Sequence, residues 1–269
     1  MDIKNTVRLM KDVSKYGFDY LQNGHFIPEQ MTDKQVLMMA YFANAQANFD
    51  GTVALLCKPK SQPTTTKLQL RALQEVWINM SLMTCTEGEL WSSYLYTISE
   101  YNRIKVAKWL HEDKQIDDAG LERITAEATN LADIIVRSNP LPDIDGVMHP
   151  SRSRRDYYVK PLTLRERCQV VDHYNQADPD NSMTKNYDLI YSYLSNFVHQ
   201  DAREMTSSVR EYENEYIWDI AGSALEIQKT MSTSYAYYTG CLRIFTDLIG
   251  NTNERRMKLF QSRFEKYLR

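Results

Sequence analysis

The chain has 269 residues and a formal net charge of −3, long enough to bury about three quarters of its unfolded surface without disulfide or metal staples. Hydrophobic residues make up 43% and charged residues 25%, which excludes a disordered chain, a collagen-like chain and a small disulfide scaffold. The near-neutral balance excludes a surface coated in positive charge, so any affinity for nucleic acid must come from local basic patches.

In chain order, the segment MDIKNTVRLMKDVSKYG is too interrupted by charge to form a signal-peptide core. The spacing predicts a first helix over Asp2–Leu21, with Ile3, Val7, Met10, Val13 and Leu21 inward. A second runs from Asp33, after the cap Thr32, to Cys57. It holds the most apolar run, Val36–Ala43, which is too short to span a bilayer. Pro59 and Pro63 bound a linker, and no proline follows until Pro140. That stretch permits three long helices: Thr64 to about Glu87, Gly88 to about Glu112, and Asp118–Ser138. Residues 139–161 hold Pro140, Pro142, Gly146, Pro150 and Pro161, dense turn chemistry that reads as a loop insertion.

Thr163 caps a sixth helix to about Ala177, and the segment Asp178–Ser182 caps a seventh from Met183 to Gln200. An eighth is expected over about Ile217–Ile249, and a charged last helix follows Gly250 to Arg269. The expectation is an all-α fold: one domain of about eight or nine helices, with residues 1–60 as an N-terminal helical pair. Four cysteines scattered without a C-x-x-C pair fit a reducing cytoplasm. A soluble cytoplasmic protein with no membrane contact is expected.

Two segments carry polar residues at a spacing that suggests a site. In Leu68–Asn79, the residues Arg71, Glu75 and Asn79 stand at i, i+4 and i+8, on one helix stripe among large apolar neighbours. Buried charge is costly unless paired, and Arg71 with Glu75 is the obvious pair. In Tyr187–Asp201, the residues Tyr191, Ser195 and His199 repeat the spacing. Histidine is the side chain best suited to move a proton near neutral pH. If these helices pack side by side, Arg71 holds a phosphate, His199 acts as general acid and base, and Glu75 orients one of them. Asn79, Tyr191 and Ser195 then contact substrate. The same residues equally suit a polar network that fixes helix register.

A basic loop offers Arg152, Arg154 and Arg155 beside Tyr157 and Tyr158, a pattern that suits phosphates and stacked bases, or a solvated loop. The last helix is basic too, with Arg255, Arg256, Lys258, Arg263, Lys266 and Arg269. Phosphate-loop, dinucleotide, serine-hydrolase and zinc-protease motifs do not occur. Neither does a Glu-x-x-His pair, so neither cofactor nor metal is expected.

The pattern R-x-L-x-E-x-W-x-N from Arg71 and Y-x-x-L-S-x-x-V-H from Tyr191 to His199 resembles an uncharacterised, mostly bacterial family of helical proteins. The resemblance covers about Phe42 to Asp201. The layout also looks like the HEPN superfamily, whose members are often dimeric RNases of toxin–antitoxin and antiphage systems. That resemblance implies a metal-independent ribonuclease, a homodimer and RNA as partner. The superfamily signature places an Arg four to six residues before the His. Here Arg203 follows His199 instead, and Arg71 must act from another helix. The alternative is a non-catalytic helical subunit of a defence or regulatory complex, docking a protein partner.

Overall fold

Two helix starts are written locally. Thr32 Oγ1 accepts from the Gln35 amide at 3.2 Å while the Gln35 side chain accepts from the Thr32 amide at 2.9 Å. Thr163 and Glu166 form the same reciprocal box at 3.2 and 2.7 Å. Each box satisfies two amides that a helix start leaves without partners. The computed structural model describes residues 2–23, 31–57, 63–85, 88–138, 144, 147, 161–198, 209–212, 215–218, 224–249 and 252–268. For 63–65, 135–138, 192–193, 195–198, 209–212, 215–218 and 224 it describes only the backbone.

The fold is all-α. Its helices are α1 (Ile3–Asn23), α2 (Asp33–Leu56), α3 (Pro63–Leu82), α4 (Gly88–Glu112) and α5 (Asp118–Ser138). Then come α6 (Leu164–Asn175), a 3₁₀ turn (Pro179–Asn181), α7 (Met183–Val198), α8 (Ala224–Leu248) and α9 (Glu254–Leu268). One antiparallel hairpin interrupts them, β1 (Val209–Tyr212) paired to β2 (Glu215–Trp218), with Val209 opposite Trp218. The sequence expectation of a helix from Ile217 is corrected here, because Ile217 lies in β2 and α8 starts at Ala224. The β-branched and aromatic residues there prefer a pleated strand.

Contacts divide the chain, expected as one domain, into two compact units: residues 1–81 with 185–269, and residues 82–184. The expected insertion over 139–161 falls almost wholly outside the described residues.

In the first unit α2 packs on α1 and α8, and α1 also packs on α9. Its core is aromatic. Phe49 stacks on Tyr238 at 4.0 Å, Phe42 on Phe245 at 4.4 Å, and Tyr235 on Phe264 at 3.7 Å. Two glycines let side chains approach a helix backbone. A Cβ at Gly17 would lie 1.9 Å from the Tyr238 hydroxyl, and one at Gly240 would lie 2.8 Å from Trp77 Nε1. The buried arc of α1 is Thr6, Leu9, Met10, Val13, Tyr16 and Gly17. Ile3, expected inward, is exposed and Leu21 is only half-buried, because neither end turn of α1 is covered as its middle is.

In the second unit α4 packs along α5, and Arg103 bridges to Glu127 at 3.0 Å. Lys114, at φ 58°, ends α4 in the left-handed conformation, and the Gln115 amide bonds back to Leu110 O at 2.8 Å. Trp91 and Tyr94 are buried edge to face at 5.8 Å, and the Tyr94 hydroxyl accepts from the Leu162 amide at 2.7 Å. Asp172 of α6 receives the Met183 and Thr184 amides at 2.7 and 2.9 Å. The start of α7 is thus capped from the preceding helix, with Asp178–Ser182 forming the connecting turn. Among the described residues no helix is long and apolar enough to cross a membrane.

Candidate functional site

Helix α3 starts at Pro63, which suits a first turn whose amides are unpaired anyway. Beyond Leu70 it is nearly buried all round, with Leu73, Ile78 and Met80 fully enclosed. Polar side chains on such a helix must find partners on neighbouring helices. Lys67 is buried and pairs with Glu226 of α8. Arg71 Nη2 donates to the Tyr191 hydroxyl of α7 at 2.6 Å. Gln74 Nε2 donates to the Tyr237 hydroxyl of α8 at 2.9 Å, and that hydroxyl donates to Asn186 Oδ1 of α7 at 2.6 Å. Residues 67, 71 and 74 stand at i, i+4 and i+7, a stripe that ties α3 to α7 and α8.

Arg71 is the most accessible member of that stripe, with its side chain 22% accessible. Its guanidinium carbon lies 4.9 Å from the Tyr191 ring centroid, and Tyr191 stacks in turn on Tyr187 at 4.5 Å. Its Nε lies 3.5 Å from Glu75 Oε1. A guanidinium carries five N–H donors in a rigid plane. Tyr191 takes one Nη2 donor and Glu75 pairs with Nε at ion-pair distance, which orients the group and leaves donors over.

The stripe Arg71–Glu75–Asn79 does not face one neighbouring helix along its whole length. Positions four apart drift about 40° per step, so over eight residues the line rotates by about 80°. Arg71 therefore meets α7, whereas Glu75 and Asn79 turn to α2. There they line a cavity of about 310 Å³ with Leu37, Ala40, Tyr41 and Asn44 of α2. This volume sits at the lower end of the ~300–1,000 Å³ typical of small-ligand pockets. An apolar floor with one carboxylate, two amides and a phenol can orient a polar ligand edge while excluding water from the rest. Asn79 is buried at 8% exposure, and Glu75 keeps 41% of its side chain accessible at the rim.

Of the residues singled out in the sequence, Arg71, Glu75, Asn79 and Tyr191 have described side chains. Arg71 with Tyr191 and Glu75, and Glu75 with Asn79, are brought together. His199 lies outside the described residues, one position beyond the end of α7 at Val198. The Ser195 side chain and the whole of Arg152, Arg154, Arg155 and Arg203 also lie outside them. Tyr41, Asn44, Lys67 and Gln74 were not singled out. Lys67 and Gln74 had a signal, since they share heptad spacing with Arg71. Tyr41 and Asn44 had none, because only the packing of α2 on α3 brings them to the cavity. Among the described residues no three His, Cys, Asp or Glu side chains converge as metal ligands. Comparison with known protein families, with curated proteins and with solved structures finds no match to this chain.

Proposed function

We propose that this protein is a HEPN-like effector of bacterial defence, or a toxin, that cleaves RNA at a site built on α3 and α7. The observation that carries the reading is the Arg71 guanidinium: partly accessible, hydrogen-bonded to Tyr191, paired with Glu75, and keeping N–H donors to spare. A planar fork held this way suits two oxygens of one phosphate. In the proposed reaction the ribose 2′-OH attacks phosphorus and the bond to the 5′-oxygen breaks. His199 takes the 2′-OH proton and returns it to the 5′-oxygen, leaving a 2′,3′-cyclic phosphate and a free 5′-OH. Arg71 stabilises the charge that grows on phosphorus oxygens, and Glu75 and Asn79 hold the substrate edge at the α2–α3 cavity. Arg152, Arg154, Arg155 and Arg203 add phosphate affinity that weakens with salt. A homodimer in the cytoplasm is part of the same reading.

The test is inducible expression of wild type, Arg71→Ala and His199→Ala, with growth and total RNA followed on the same cultures. Wild type is expected to arrest growth and fragment RNA, and both variants to be soluble and silent. Intact RNA and equal growth for all three overturn the nuclease reading.

One observation favours a second reading. Lys67, Arg71 and Gln74 each tie α3 to a neighbour, as a network that fixes helix register would. Here the protein is a non-catalytic helical subunit that docks a protein partner. Arg71→Ala then lowers the melting temperature and partner affinity and leaves RNA untouched.

A further inference from the structure

A second cavity, of about 470 Å³, lies between α1 and α9, away from the α3 stripe. On α9 the residues Arg256, Phe260 and Arg263 stand at i, i+4 and i+7, and on α1 Asp12, Tyr16 and Asp19 stand at the same spacing. The Asp2 amide bonds to Tyr267 O at 2.9 Å, so the start of α1 sits at the end of α9 and the helices run antiparallel. Tyr16 and Phe260, both buried, meet edge to face at 5.5 Å and form the seam. The charged residues rim it.

The charges there are unbalanced. Lys15, Arg255, Arg256 and Arg263 face Asp12 and Asp19. Lys15 is committed to Asp19 at 2.7 Å. Among the described residues no carboxylate comes within ion-pair distance of any of the three arginines. Arg255, Arg256 and Arg263 line this one cavity from the exposed face of α9, so an anion entering it meets three cations at once. Arg256 is also pre-oriented. Its guanidinium carbon lies 4.5 Å over the Tyr16 ring and 5.6 Å from Phe260. Stacking uses the face of the guanidinium and leaves the in-plane N–H donors for a ligand.

We propose that the α1–α9 cavity binds a small diphosphate ester: two adjacent phosphoryl groups held by Arg255, Arg256 and Arg263. Asp12, which has no described partner, accepts from a hydroxyl of the esterified group. A nucleic-acid strand spreads its charges a nucleotide apart and needs a long groove. Three arginines lining one cavity of small-ligand size instead suit several negative charges gathered on one small molecule, as on a diphosphate. This site is independent of the α3–α7 reading and stands or falls without it.

The test is calorimetric titration of the full chain with inorganic pyrophosphate, adenosine diphosphate, inorganic phosphate and a single-stranded RNA oligomer. Saturable one-to-one binding is expected for both diphosphates, at least tenfold tighter than for phosphate. Arg256→Gln and Arg263→Gln should each weaken it about tenfold. Lys258→Gln removes the same charge from the same helix outside the cavity lining, and should change it less than twofold. Melting curves of the variants check that the helices remain in place. Diphosphate binding that is unsaturable, or indifferent to Arg256→Gln and Arg263→Gln, overturns the proposal. So does RNA that binds tighter than pyrophosphate and loses that affinity in the same two variants, which makes the cavity a strand contact.

Discussion

Gly17 has no side chain, and the Tyr238 hydroxyl occupies the space a Cβ would fill. That hydroxyl donates to Gln46 Oε1, while Gln46 Nε2 donates to Asp50 at 2.9 Å and to Ser14 Oγ at 3.1 Å. Gly17→Ala is therefore expected to destabilise the protein by about 1–3 kcal/mol through overpacking, although alanine is the better helix former. Tyr238→Phe removes the clashing oxygen and leaves Gln46 Oε1 without that donor, at a cost of about 1–3 kcal/mol. The double variant should lose less than the sum of the singles, because the clash and the bond share one oxygen. Urea unfolding of the four proteins measures this; strict additivity refutes the shared-oxygen account. Nothing in the sequence marks Gly17, since its partner stands more than two hundred residues away.

At the element scale the cap residues divide by distance along the chain. The capping boxes at Thr32 and Thr163 are legible because donor and acceptor lie within one turn. Thr32→Ala and Thr163→Ala are each expected to cost about 0.5–2 kcal/mol, read as a lower urea midpoint at unchanged slope. Asp172 caps α7 from a different helix, eleven and twelve residues upstream. Asp172→Ala is expected to cost at least as much as Thr163→Ala, because two amides lose their acceptor at once. An effect below that of Thr163→Ala contradicts the cap assigned to Asp172. The hairpin of β1 and β2 shows the opposite limit: Val209–Tyr212 and Glu215–Trp218 alternate too briefly to outweigh the surrounding helical pattern.

The whole first unit responds to alkali. Burial raises the phenols of Tyr235 and Tyr238 and the thiol of Cys241 above their ordinary ranges. Each keeps its proton in the folded chain and loses it more readily when unfolded. Stability from these groups is complete below the unfolded values, about 8.5 for a thiol and 10 for a phenol, and falls as pH rises beyond them. Unfolding free energy is expected to be flat from pH 7 to about 8 and to decline steadily above 9. Tyr235→Phe should flatten the decline. A free energy that rises above pH 9 has the wrong sign for these groups.

Most helix positions, the caps Thr32 and Thr163 and the polar residues of α3 follow from contacts within a turn or two of chain and are legible there; the start of α8 is not. The sequence singled out Arg71, Glu75 and Asn79, because spacing of three and four places residues on a common face whatever surrounds the helix. Which helix each residue meets was decided only in the tertiary structure. Arg71 reaches Tyr191 across 120 residues of chain, and Glu75 and Asn79 turn to α2 through the 40° drift of each four-residue step. The division into two units, the hairpin and both cavities belong to the same class. Each depends on how faces distant in sequence pack, and nothing in the spacing of one segment records the segment that covers it.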